Sequence, residues 1–155
     1  MRKTNAVRLA EAAGIAVQTR AYDVSDEDYD GTHAAQKLGL DPALVFKTLV
    51  MRGDKTGLIV CCIPVAEELN LKKAARASGN KGVEMLHVKE LLPLTGYVRG
   101  GCSPVGMKKL FPTYIDETAQ LFDQIAVSAG MRGEQMLLAP EDLRALVGAQ
   151  FADLT

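Results

Sequence analysis

The chain has 155 residues, with 18 basic and 19 acidic side chains and a formal net charge of −1. That length suits a single compact domain over residues 1–155, which can bury about two-thirds of the surface its unfolded chain exposes without a metal or disulfide staple. Charge this balanced argues against a protein that wraps duplex nucleic acid, and leaves room only for a local basic patch.

Hydrophobic residues make up 48% and charged residues 24%, ordinary values for a soluble globular protein. With no tryptophan, four Phe and four Tyr, the core has to be aliphatic. Cys61, Cys62 and Cys102 are an odd number with an adjacent pair, a poor disulfide framework, and no Cys/His spacing suits zinc. A reducing, cytoplasmic setting is the simplest expectation, with no metal. Met1 to Asn5 leads into an amphipathic pattern and not a long apolar stretch, so no signal peptide is expected. No apolar run approaches the roughly 20 residues that span a bilayer, so no membrane partner is expected either.

In chain order, Ala6, Leu9, Ala10 and Ala13 share one helical face, and Gly14 is a natural stop. Ile15 to Tyr22 alternates as a strand does. A loop crowded with Asp23, Asp26, Glu27, Asp28 and Asp30 follows. Thr32 can cap a short helix ending at Gly39, and Asp41-Pro42 opens a turn. Val45 to Met51 and Leu58 to Ile63, joined across Gly53 to Gly57, read as a β-hairpin. Asn70 caps a helix from Leu71 to Ser78 that ends at Gly79. Val83 to Leu86 is a short strand, and Val88 to Leu92 a short helix stopped by Pro93. Residues 95–106 hold four glycines, which rules out regular helix or central strand there. Strands are expected at Thr113–Asp116, Ile125–Ser128 and Gln135–Leu138, a helix from Pro140 to Val147, and an edge strand at Phe151–Leu154. Strands and helices mix without a regular βαβ beat, which points to an α+β domain with a mixed sheet surrounded by helices.

Few residues in this pattern carry obvious chemistry. Alternation puts Lys47 on one face with Val45, Leu49 and Met51. A lysine among apolar neighbours snorkels, pairs with an acid or meets an anionic ligand; the plainer alternative is an edge lysine that discourages sheet-to-sheet aggregation. The glycine loop can bring the backbone of Gly100 and Gly101 close to a small polar ligand, or simply turn a tight corner. It lacks the Gly-Lys-Ser/Thr ending of a phosphate loop. Ser128, before Ala129-Gly130, could donate to a carbonyl oxygen, though a turn-forming serine explains it as well, and no nucleophile elbow surrounds it. His33 and His87 read as surface or capping residues. Cys102 would need an activating base or cation to act as a nucleophile, and no Cys–His pairing is legible. Cys61-Cys62 reads as packing. Lys72, Lys73 and Arg76, Lys108 and Lys109, and Arg132 are solvated faces or a phosphate-binding rim beside the glycine loops.

Several ordered blocks carry a resemblance. Phe46-Lys47-Thr48-Leu49, Asn70 to Ala75, Glu84-Met85, Thr95 to Gly106 and Val127 to Gly133 resemble the YbaK/EbsC family of Cys-tRNA(Pro) deacylases, free-standing relatives of the editing domain of bacterial prolyl-tRNA synthetases. The likeness runs from about Ala6 to Leu154. It implies a mixed-sheet α+β fold, an aminoacylated tRNA 3′ end as the substrate, prolyl-tRNA synthetase as a possible partner and no cofactor. It also implies the reaction: the substrate's own thiol attacks its ester carbonyl and leaves as a cyclic thiolactone. By the same resemblance Lys47 would hold the 3′ end through a phosphate. Gly100 and Gly101 would position the aminoacyl group through the backbone. Tyr22, Thr48, Ser128 and Gly130 would line the pocket. The pattern departs where Cys102 replaces an aliphatic residue, Ala129 a glycine and Gln135 an acid, changes that bear on amino-acid preference. Three alternatives stay open: a deacylase for another mischarged amino acid such as alanine, a non-catalytic tRNA- or synthetase-binding module, and a Cys102 thiol enzyme.

Overall fold

The computed structural model describes residues 3–24 and 31–155, so Asp26, Glu27, Asp28 and Asp30 of the expected acidic loop lie outside the described residues. The described helices are α1 (Asn5–Ala12), α2 (Gly31–Leu38), α3 (Leu71–Ser78), α4 (Val88–Thr95) and α5 (Pro140–Val147). The strands are β1 (Gln18–Ala21), β2 (Phe46–Gly53), β3 (Gly57–Pro64), β4 (Val83–Met85), β5 (Thr113–Asp116), β6 (Ile125–Ser128), β7 (Glu134–Leu138) and β8 (Gln150–Ala152).

They form two sheets rather than one. A mixed five-stranded sheet runs in the order β4-β2-β3-β5-β8, and an antiparallel three-stranded sheet in the order β1-β7-β6. The sheets are stitched where Val45 bridges Ala126, with the Ala126 N–H donating to Leu44 O at 2.9 Å. The main core lies between them: Phe46, Val60, Cys62 and Ile115 from the large sheet meet Val127, Met136 and Leu138 from the small one. Helices α1 and α5 close it with Val7 and Leu143. The large sheet's other face, with Met51, Ile59, Cys61 and Ile63, is covered by Ala74 of α3 and by Leu154. Ala126 and Leu137 on the small sheet's other face pack against Ala35 of α2.

Local sequence explains most elements. The Asn70 side chain accepts from the Lys72 and Lys73 N–H groups, and Gly79 closes α3 in the left-handed region at φ 77. The β2–β3 hairpin pairs Phe46 with Pro64 and ends at Gly53 opposite Gly57. Strand β8 lies at a sheet edge, as expected, but spans Gln150–Ala152 where Phe151–Leu154 was expected.

Three other elements differ from the sequence reading. Helix α4 does not stop at Pro93 but runs to Thr95. Proline removes the bond its N–H would make to Lys89 O, a carbonyl on an exposed residue that water can serve. The last turn is secured instead by the Thr95 hydroxyl donating to Leu91 O at 2.6 Å, and by the Gly96 N–H on Leu92 O. Helix α2 already begins at Gly31, so Thr32 sits in its first turn and not at its cap. Strand β1 is only Gln18–Ala21, because Ile15 and Val17 pack on the core before pairing with β7 begins.

Candidate active site

Strand β2 is hydrogen-bonded on one side along its whole length by β3, but on the other side β4 pairs only with Met51, Arg52 and Gly53. The edge from Phe46 to Leu49 is therefore left open, with Val50 O taken by the Leu86 N–H, and a cavity of about 540 Å³ lies along it. Lys47, Thr48, Leu49 and Val50 line one side, Leu86, Val88 and Leu91 another, and Arg99, Gly100 and Cys102 of the glycine loop a third. Gly31 and Val65 complete the wall; they touch so closely that a Cβ on Gly31 would stand 2.5 Å from Val65 Cγ1.

The loop reaches this place through a tight turn. The Gly101 N–H donates to Val98 O at 3.0 Å, and Gly100 sits between them at φ 86. Arg99 has a negative φ, as every described non-glycine residue does, so the turn is type II, which requires a left-handed third residue. Gly101 itself is buried against another turn: a Cβ there would lie 3.0 Å from Arg132 N and 3.1 Å from Met131 C. Tyr97 fastens the same joint, its hydroxyl donating to Val105 O and its ring lying over Gly130.

The sequence-derived residues divide accordingly. Lys47, Thr48 and Gly100 share the cavity. Gly101, Ser128 and Gly130 are not among its lining residues; Gly101 and Gly130 lie at the interlocked turns, and Ser128 accepts from the Gly130 N–H at 3.1 Å. Ser128 is on the small sheet's α2 side, two residues from Ala126. Tyr22 lines a separate surface hollow with Asp23 and Lys37.

Thr48 Oγ1 lies 3.8 Å from Cys62 Sγ. Among the described residues no hydrogen bond or ion pair holds the side chain of the half-buried Lys47. Burial, and secondarily the neighbouring Cys62, push the Cys102 thiol up to about 12, so it stays protonated at neutral pH. That is the opposite of what a thiol nucleophile requires. No described lining residue is Asp, Glu or His.

The apolar side of the cavity escaped the sequence reading. Met85, Leu86, Val88 and Leu91 look like ordinary strand and helix residues, and only the short strand and the abrupt helix after it hinted that β4 leaves an edge uncovered.

The chain was compared with known proteins. Residues 29–146 match the family described as the aminoacyl-tRNA editing domain. A protein of Enterococcus faecalis (strain ATCC 700802 / V583), provisionally named Cys-tRNA(Pro)/Cys-tRNA(Cys) deacylase EbsC, is 50% identical over 153 residues, covering 99% of this chain and 93% of its own. A crystal structure provisionally described as a trans-editing enzyme for prolyl-tRNA synthetase superposes with a TM-score of 0.82 at 27% identity, covering 99% of both chains. The hypothetical protein APE2540 shares the fold, with a TM-score of 0.85 at 22% identity over 96% of this chain and 97% of that one. The open-edged cavity thus sits within a match that spans most of the sequence, and the chain belongs to the aminoacyl-tRNA editing domain family.

Proposed function

We propose that the protein is a free-standing deacylase that removes cysteine wrongly attached to tRNA(Pro), with the substrate supplying its own nucleophile. The observation that carries this reading is the shared cavity: a β2 lysine whose side chain has no polar partner among the described residues lines the same hollow as a glycine loop, with no acid, imidazole or ionisable-at-neutral-pH thiol among the described lining residues. The name of the Enterococcus faecalis relative supports the same substrate.

In this mechanism Lys47 binds a phosphate of the 3′ end, an anion suited to a lysine point charge. Gly100 lets the loop backbone approach the aminoacyl group, while Gly101, whose N–H is already engaged by Val98 O, sets the shape of the turn. The cysteine sulfur attacks the ester carbonyl carbon, the bond from that carbon to the ribose oxygen breaks, and the oxygen leaves with the thiol's proton. The products are a cyclic thiolactone and uncharged tRNA. Nucleophile and electrophile already share one molecule, so holding them in the reacting conformation can remove up to roughly 7–11 kcal/mol of the barrier. Backbone dipoles facing the carbonyl stabilise the developing oxyanion. Thr48 lines the floor of the cavity; Tyr22, Ser128 and Gly130 act from behind or beside it by holding the turns. We assign the activity to the cytoplasm, where charged tRNA is used, with prolyl-tRNA synthetase as the partner that presents it. Among the described residues no helix is long and apolar enough to cross a membrane.

The test is deacylation of Cys-, Ser-, Ala- and Pro-tRNA(Pro) by the purified protein. Rapid release of cysteine alone is expected. Equal rates on the serine ester, which differs by one atom, would make water the attacker, and an intact cysteinyl ester would leave only a binding module.

A further inference from the structure

The cavity is larger than an aminoacyl group needs. At about 540 Å³ it falls in the range of about 300–1,000 Å³ that encloses drug-sized ligands. Its mouth also carries apolar surface that the fold does not use. Met85 is 47% exposed and Val88 59% exposed, yet both line the cavity, and exposed apolar residues grouped at a cleft commonly mark a ligand surface.

These residues are held rigidly. Met85 pairs with Met51, and the Leu86 N–H donates to Val50 O at 3.1 Å. Arg52 Nη2 donates to Glu90 Oε2 at 2.9 Å, which ties α4 to β2. The strand period then orders the site. Lys47, Leu49 and Met51 share a face of β2, and Met85, as Met51's cross-strand partner, lies on that face too. Strand rise sets the Lys47 and Met85 positions roughly 13–14 Å apart, with Leu49 between them. A cation thus stands at one end of a strip and apolar side chains at the other. The charged residues of the described lining are Lys47 and Arg99, both cationic. A ligand that matches this strip is anionic at one end and apolar at the other.

We propose that Met85 and Val88, backed by Leu49, form a shelf for the base of the terminal nucleotide of the aminoacylated tRNA, while Lys47 takes its phosphate. The inference rests on the editing reading of the same cavity and adds the base to it. A base laid against apolar side chains is recognised by its face, so the shelf accepts it without reading hydrogen bonds.

The probes are adenosine 5′-monophosphate, with base and phosphate, and ribose 5-phosphate, with phosphate alone. Their binding is measured by calorimetry to the full chain, to a Met85→Ser/Val88→Ser variant, and to Leu121→Ser as a control. Leu121 is 78% exposed and lines none of the cavities described. The nucleotide is expected to bind the wild type about tenfold more tightly than the sugar phosphate, in line with burying a modest apolar area of the base. The double variant should lose that preference, keep its melting temperature, and raise KM for Cys-tRNA(Pro) about tenfold with little change in kcat, the signature of lost ground-state binding. Leu121→Ser should match the wild type. Equal binding of the two probes to the wild type, or an unchanged KM in the double variant, overturns the shelf. So does a double variant that still prefers the nucleotide but no longer binds prolyl-tRNA synthetase, since the shelf would then be a protein contact. Selective nucleotide binding without release of cysteine sinks the editing reading and leaves the shelf standing; release of cysteine without base preference does the reverse.

Discussion

The two ends of β2 are built on opposite plans. At the hairpin end the turn is held by polar side chains whose partners lie within the chain. Asn80, 9% exposed, accepts from the Lys55 and Thr56 N–H groups at 2.9 and 3.1 Å and donates to the hydroxyls of Thr56 and Ser78 at 2.9 and 2.8 Å. Asp54 accepts from the Lys81 and Gly82 N–H groups at 2.9 and 3.2 Å. Gly53 is needed there, because a Cβ would stand 2.3 Å from Asn80 Nδ2. At the other end the strand edge is open, the Lys47 side chain has no polar partner among the described residues, and the loop that closes the space presents glycine backbone. Saturated polar side chains hold the fold; unsaturated ones facing a hollow are available to a ligand. The difference predicts that mutations at the two ends separate stability from activity.

The largest effect is expected from Asn80→Ala. It removes four hydrogen bonds, each worth about 0.5–1.5 kcal/mol net, while the Thr56 and Ser78 hydroxyls keep Gly57 O and Ala74 O. A loss of about 2–4 kcal/mol in urea unfolding is expected, with cysteine release per folded molecule unchanged. Reduced specific activity at full stability would break the comparison. Lys47→Ala should behave in the opposite way. Losing a charge-assisted hydrogen bond to phosphate, worth about 1.5–3 kcal/mol, predicts roughly a 10- to 100-fold fall in kcat/KM on Cys-tRNA(Pro). The unfolding midpoint should stay near the wild type, since no side-chain hydrogen bond or ion pair among the described residues is removed. Wild-type turnover in Lys47→Ala would return the residue to the role of an edge-protecting lysine.

Legibility in the sequence follows the same division. The hairpin, α3 with its Asn70 cap, β5, β6 and α5 are announced by local signals: alternation, a capping side chain, a glycine stop, a proline at the first helical position. The glycine loop was legible as irregular, and Lys47 as costly on its strand. The arrangement in two sheets was not legible, because it depends on long-range pairings such as Gln18 with Leu137 and on the Val45–Ala126 bridge that joins the sheets, 81 positions apart in sequence. Nor was the division of the glycines. Gly100 and Gly101 are adjacent and identical in type, yet one lines the cavity and the other is packed against Met131 and Arg132, contacts that only the folded chain brings together. The apolar shelf escaped for a related reason: whether Met85 and Val88 are covered depends on where β4 stops.

The smallest effect belongs to Cys102, which touches both plans because it lines the cavity and packs in the main core. Cys102→Ala should leave cysteine release near wild type at pH 7, since the protonated thiol plays no part in the proposed chemistry; a dead variant would revive the thiol-enzyme reading. The truncation should cost about 1 kcal/mol, roughly one buried methylene's worth. Its clearer signature is in alkali. Burial pushes Cys61, Cys62 and Cys102 from an ordinary 9.0 up to about 12 in the folded chain. Below pH 9 the thiols are protonated in both states and contribute no pH dependence. Between about pH 9 and 12 the unfolded thiols ionise while the folded ones do not, so unfolding releases protons and stability falls as pH rises. Each thiol adds a slope of about 1.4 kcal/mol per pH unit in that window. Urea unfolding at pH 8 and at pH 10–11 should therefore show the variant losing stability less steeply than the wild type, by one thiol's share. Parallel declines would mean that Cys102 ionises as freely in the folded chain as in the unfolded one, and that the cavity wall at Cys102 is open to water.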